Sequence, residues 1–162
     1  MSERYRVPKR QAPARITLVG QPPVQLFLYL AECAERHSGT ETPSDLINNG
    51  DEFLPATDPE GRVVILRRSS IMVLSVAAEF EASSEEEMRA DEQLTRLAVD
   101  LRLENGVSLR GEMIYWRPEG QRRIQDYLNT AERFIPVRDG NTVHLVNRDR
   151  VVSFFLLESE HD

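Results

Sequence analysis

Two carboxylate–carboxamide pairs have the types and spacing that could do chemistry. Asp45 and Asn48 bound the run D-L-I-N, with Phe53 and Pro55 just beyond it. Asp126 and Asn129 bound D-Y-L-N, with Phe134 and Pro136 just beyond. Each member of the second set lies 81 positions after its counterpart, in a chain of 162 residues. Two aspartates brought to one cleft could divide acid and base roles between them. The structural reading of the same residues is stronger. Asp and Asn around a single helical turn bind the turn's free N–H and C=O groups, which explains why both copies carry them without a substrate. No catalytic residue is assigned, and the eight signature positions are read as structural.

Other chemistry is sparse. The histidines are His37, His144 and His161, and none has a second histidine or a cysteine at ligand spacing, so no metal site is expected. Cys33 is the one cysteine, which excludes an internal disulfide, and nothing around it marks a reactive thiol. No glycine-rich phosphate loop or dinucleotide fingerprint is present, so no cofactor is expected. Six arginines in the second half, Arg122, Arg123, Arg133, Arg138, Arg148 and Arg150, form a candidate anion- or partner-binding set, with Tyr115 and Trp116 close in sequence. A small β domain can bind single-stranded RNA by combining such cations with stacking rings. Interspersed acids at Glu119, Asp126, Glu132, Asp139 and Asp149 favour a mixed-charge solvated face instead.

The net charge of −7 argues against DNA, whose non-specific binding needs many cations facing phosphates. No apolar run approaches the ~20 residues of a membrane helix. The first residues carry charges but no apolar signal-peptide core, so a cytoplasmic location and no membrane partner are expected.

The elements around the repeated signature repeat with it. In the first half, strands are expected over 15–20 and 24–31, a capped helical turn from Thr42, then strands from Phe53, over 63–66 and over 71–78. Thr42 followed by Pro43 and Asp45 reads as an N-cap, a proline at the first helical position and a capping acid. In the second half, strands are expected over 97–103 and 107–115 around a type I′ turn at Asn105-Gly106. A helical turn over 121–129 follows, then strands over 134–138, 142–147 and 151–157. Gly111 inside a strand points to a bulge or bend. The first two strands of each half align at an offset of 83, the central signature at 81 and the last strands at 80. Each change of offset falls in a loop, where insertions are tolerated.

This duplication defines the expected organisation: a flexible basic tail over 1–14, a β module over 15–78, an acidic linker over 79–96, a second β module over 97–157 and an acidic tail over 158–162. The linker carries seven acids and two basic residues, with a helical stretch expected around 84–94. Modules this small are marginal alone, so they should pack on each other or on a second copy. Both fifth strands, Ile71-Met72-Val73-Leu74 and the run from Val151 to Leu157, are apolar on both faces. Such strands need cover on both sides, at the junction of the modules or in a homo-oligomer.

The signature resembles that of a family of small bacterial β domains of unassigned function, with an arginine-led D-L-L-N turn, then F-I/L-P and a later N-R/K link. Arg123, Asp126, Leu128, Asn129, Phe134, Ile135, Pro136, Asn147 and Arg148 carry it. In the first half Thr42 replaces the leading arginine and Arg67 the later asparagine. The resemblance implies a mainly β domain and no activity. Five strands and a short helical turn per half are also similar to Sm-like and SH3-like barrels, at the level of fold. The expected protein is therefore two tandem five-stranded, barrel-like β modules forming a non-enzymatic scaffold or regulatory interaction module. It is expected to self-associate or to bind another protein, with RNA or a small anionic ligand as the alternative.

Overall fold

A computed structural model of the protein describes residues 9–32, 39–81, 94–116 and 124–157. Among these residues the chain is mainly β. The strands are β1 (Lys9–Leu18), β2 (Val24–Ala31), β3 (Phe53–Thr57), β4 (Val63–Arg67), β5 (Ile71–Ala77), β6 (Leu94–Leu103), β7 (Ser108–Trp116), β8 (Phe134–Asp139), β9 (Thr142–Asn147) and β10 (Val151–Leu156). Helix α1 (Pro43–Ile47) precedes β3 and helix α2 (Ile124–Thr130) precedes β8. All strand pairs are antiparallel, and they form one sheet in the order β10-β6-β7-β8-β9-β5-β1-β2-β3-β4. Cut between β9 and β5, that order is the same five-strand plan twice.

Separate closed barrels are not what the pairing gives. Within the first half β4 pairs with β3 alone, while β5 pairs with β1 and then with β9 of the other half. The open side of β5 is taken by the second module, so the sheet runs on through both. The doubly apolar Ile71, Met72, Val73 and Leu74 are all buried there, as strands covered on both faces must be. The buried side chains form two clusters, one drawn mainly from each half. One core gathers Ala12, Ile16, Leu28, Leu54, Leu66 and Leu74 with others, and the second gathers Val99, Leu101, Met113, Ile135 and Val137.

Several boundaries differ from those expected. Strand β1 begins at Lys9, inside the stretch expected to be a tail. Ala12, Ala14 and Ile16 alternate into the core opposite exposed Gln11, Pro13 and Arg15, and the small alanines and the proline hide that alternation in the sequence. Strand β1 meets β5 only from Arg15 onward, so Pro13 lies where β1 has one neighbour and its missing N–H costs no ladder bond. Of the helical stretch expected around 84–94 only Leu94 is described, and it opens β6. Residues 121–123 and both chain ends also lie outside the described residues.

Two local features resolve into defined geometry. The Asn105-Gly106 turn is not type I′, because among the described residues only glycines have a positive φ, so Asn105 does not, and type I′ needs both central residues there. Gly106 alone is left-handed, at φ 85°, its N–H bonds to Leu103 O, and Leu103 N–H bonds to Val107 O. This is a type I turn closed by a glycine bulge. Gly111 pairs in register with Val99, so it marks no bulge. It is glycine because β8 crosses it closely: a Cβ there would lie 2.6 Å from Arg138 O and 2.7 Å from Val137 Cγ1.

The register also corrects the alignment of the halves. Ile16 pairs with Val24 and Leu74, and Leu101 pairs with Leu109 and Phe154. The first hairpins therefore correspond at an offset of 85, not 83. The signature offset of 81 holds, since Phe53 opposite Arg67 corresponds to Phe134 opposite Asn147. Strands β4 and β9, and β5 and β10, correspond at 80.

Candidate interaction site: the central seam and the two open edges

The candidate interaction site begins where the halves meet. Strands β5 and β9 pair from Val73 opposite Val146 to Ala77 opposite Thr142. Ser75 Oγ and His144 Nδ1 lie 2.6 Å apart across the pair. Burial pushes the His144 imidazole below its ordinary pKa, with Asp139 opposing, so a neutral ring faces the serine. Asn147 Nδ2 donates to Ile71 O at 2.9 Å, and Arg150 donates to Ser69 O through Nε at 3.2 Å and Nη2 at 2.8 Å. Apolar side chains are exchanged as well. Phe134, Val143 and Leu145 of the second half belong to the first core, and Met72 and Val73 of the first half belong to the second.

The repeated signature is part of this seam. Thr42 Oγ1 accepts from Asp45 N–H at 3.2 Å and Asp45 Oδ2 accepts from Thr42 N–H at 2.9 Å. Asp45 therefore closes the N-terminus of α1, while Asp126 sits exposed in the first turn of α2. Asn48 ends α1 and then reaches into the other half. Its Oδ1 accepts from Phe134 N–H at 3.0 Å and its Nδ2 donates to Phe134 O at 3.3 Å. The counterparts Asn129 and Phe53 are both exposed. Pro55 and Pro136 sit mid-strand in β3 and β8, each opposite a residue of the following strand. Strand β3 touches β2 only at Thr57 opposite Phe27, and β8 touches β7 only at Arg138 opposite Glu112, so neither proline interrupts a ladder.

The arginine set is dispersed. Arg122 and Arg123 lie outside the described residues. Arg133 faces Asp149 at 3.4 Å, Arg138 donates to Gly140 O, and Arg150 ties Ser69 O and Glu104 Oε1. Arg148 Nη1 donates to Leu128 O at 2.8 Å. Its counterpart Arg68, which is buried, donates through Nε to Ile47 O at 2.9 Å, through Nη1 to Asp51 O and through Nη2 to Asn49 Oδ1. In both halves this arginine therefore bonds a carbonyl at the end of the short helix.

The two outer strands of the sheet, β4 and β10, carry the same positions as the seam, and among the described residues no strand pairs with their outer sides. Ile65 is 59% exposed where its counterpart Leu145 is 0%, and Val152 is 68% exposed where its counterpart Met72 is 1%. Phe53 is 50% exposed where Phe134 is 1%. Arg67 lies over the Phe53 ring at 5.0 Å and Arg102 over Phe155 at 4.8 Å, which screens those faces only in part. Beside β10 a cleft of about 380 Å³ is lined by Leu128, Asn129, Arg148, Val151, Val152 and Phe154 among others. In the first half the corresponding side chains include Ile47, Ile71 and Leu74, and they share a core with Phe134.

A second cleft, of about 410 Å³, opens between α1, β7, α2 and β8, and includes Glu81, Glu112, Glu132, Tyr127 and Arg138. Glu81, expected in the acidic linker, is buried. Burial pushes its carboxyl up to about 7, opposed by hydrogen bonds from Ser44 N–H and Oγ–H and supported by Asp45. Its oxygens hold the start of α1. Among the described residues no three His, Cys, Asp or Glu side chains group as a metal cage, and no helix is long and apolar enough to cross a membrane. Comparison with protein-family models, with curated proteins and with solved structures found no match for this chain.

Proposed function

We propose that the protein is a non-enzymatic cytoplasmic scaffold, built from two barrel-like five-stranded modules, that works by adding protein partners to the outer strands of its sheet. One observation carries this reading. Among the described residues, the large apolar side chains left exposed are Val19, Phe53, Val63, Ile65, Val107, Val152, Phe155 and Leu156. Val63 and Ile65 are on β4, Val152, Phe155 and Leu156 on β10, and Phe53 on β3 beside β4; only Val19 and Val107 lie in turns. An outer strand already offers unpaired N–H and C=O groups to any extended segment. Proteins normally blunt such edges with charge, whereas these carry apolar side chains, the pattern of a recognition surface using strand addition.

The test is a size and capture experiment on the full chain. Sedimentation should show self-association or a defined complex with a captured protein, and Ile65→Lys or Leu156→Lys should reduce it. A chain that stays monomeric and captures nothing, or whose capture ignores both substitutions, overturns the reading.

A further inference from the structure

We propose that the partner is a second copy of this chain, bound head to tail: β10 of one copy pairs with β4 of the next and reproduces the seam between β9 and β5. This rests on the interaction-scaffold reading and specifies its partner. The seam is a worked example of the contact. It joins the fourth strand of one module to the fifth strand of the other, and the two strands that among the described residues have one side unpaired are the remaining fifth strand, β10, and the remaining fourth strand, β4. The edges therefore differ from one another and match as a pair, the condition for a heterologous contact.

The register follows from the correspondence of the halves. Leu74 opposite Leu145 becomes Phe154 opposite Ile65 of the next copy, and Val76 opposite Val143 becomes Leu156 opposite Val63. The latch is repeated as well. Asn129 occupies the place of Asn48 and Phe53 the place of Phe134, so the Asn129 carboxamide is positioned to take the Phe53 main chain of the next copy. The Phe53 ring then enters the cleft of about 380 Å³ beside β10, where Leu128, Val151 and Phe154 are the counterparts of Ile47, Ile71 and Leu74, which share a core with Phe134. Side chains exposed at both edges are covered by the same contact. A chain carrying both edges adds at both ends, so the assembly closes into a ring or extends as a filament.

Mixing single-edge variants tests this. Wild-type chain should sediment as an assembly larger than a dimer. Ile65→Lys blocks β4, Leu156→Lys blocks β10, and each variant alone should be monomeric. Mixed, they should form a one-to-one heterodimer, because each supplies the edge that the other lacks; the double variant should join neither. Both side chains are more than half exposed, and unchanged circular dichroism and thermal transition identify variants that have kept the fold. Asn129→Ala, which leaves both edges apolar, should weaken assembly about tenfold by removing the latch. Assembly retained by either lysine variant alone indicates a symmetric edge contact and overturns the proposal, as does a mixture that stays monomeric or a monomeric wild type. In that last case, capture of another protein that the same substitutions block would leave the scaffold reading standing.

Discussion

The Asn48 carboxamide holds both polar groups of the Phe134 main chain, accepting its N–H at 3.0 Å and donating to its C=O at 3.3 Å, across a separation of 86 residues. Both residues belong to the repeated signature, one to each copy, so the signature binds itself across the seam. Such a pair satisfies two backbone groups of β8 on its side away from β9. It also seats the Phe134 ring in the first core.

Removing this contact separates the two copies of the signature by function. Asn48→Ala should lower unfolding stability by about 1–3 kcal/mol, since two buried backbone groups lose their partner. The matching Asn129→Ala should change the stability of the single chain by no more than about 0.5 kcal/mol, as an exposed surface substitution does. Denaturant unfolding of the two variants at a concentration where the chain is monomeric measures both.

Arg68 and Arg148 share a role but not an environment. Arg68 is buried with three acceptors, and Arg148 is half-buried with one. Arg68→Met should cost about 3 kcal/mol by leaving Ile47 O and Asp51 O unsatisfied, and Arg148→Met about 1 kcal/mol. Arg68→Lys should restore little, because a point charge cannot serve three acceptors spread around a planar fork. Urea midpoints at constant slope test the ranking.

Gly111→Ala places a methyl group against the backbone of β8, at 2.6 Å from Arg138 O. Backbone cannot step aside as a flexible side chain can, so the substitution should destabilise by about 1–3 kcal/mol. Gly106→Ala, where nothing lies within 4 Å but φ is +85°, should cost about 1 kcal/mol from strain alone. Thermal unfolding of both variants distinguishes a clash from a strained φ.

Glu81 gives stability a pH dependence with a definite sign. Its folded pKa is about 7, above the ordinary 4.5. Between those values the folded state keeps a proton that the unfolded chain has released. Its contribution is therefore greatest below pH 4.5, declines as pH rises toward 7, and is flat above. Glu81→Gln removes the ionisation and should raise stability at pH 8 by on the order of 1–3 kcal/mol relative to wild type. At pH 4 the two proteins should be nearly equal. Parallel denaturant curves at the two pH values read the difference.

Much of the local structure was legible in the sequence because its causes are local. Thr42, Pro43 and Asp45 form a capping box wherever they are placed, and the strands β2 and β4 follow their alternation. Where the local signal was weak the boundary moved, as at β1, whose inner face is made partly of alanine. Glu81 was misplaced because burial depends on what packs over it, here Ser44 of α1, and the surrounding acids say only that the stretch is charged.

The sequence by itself determined the repeated signature, the mainly β class, the capped turn and the two doubly apolar fifth strands, since these depend on residue type and spacing along the chain. Only the tertiary structure decided that one fifth strand is covered by β9 while the other lies open, and that Asn48 is engaged while Asn129 is exposed. Equivalent residues in a repeat have equivalent local preferences. What differs between the copies is which neighbour each meets, and a sheet with two ends must leave one member of each pair unmatched.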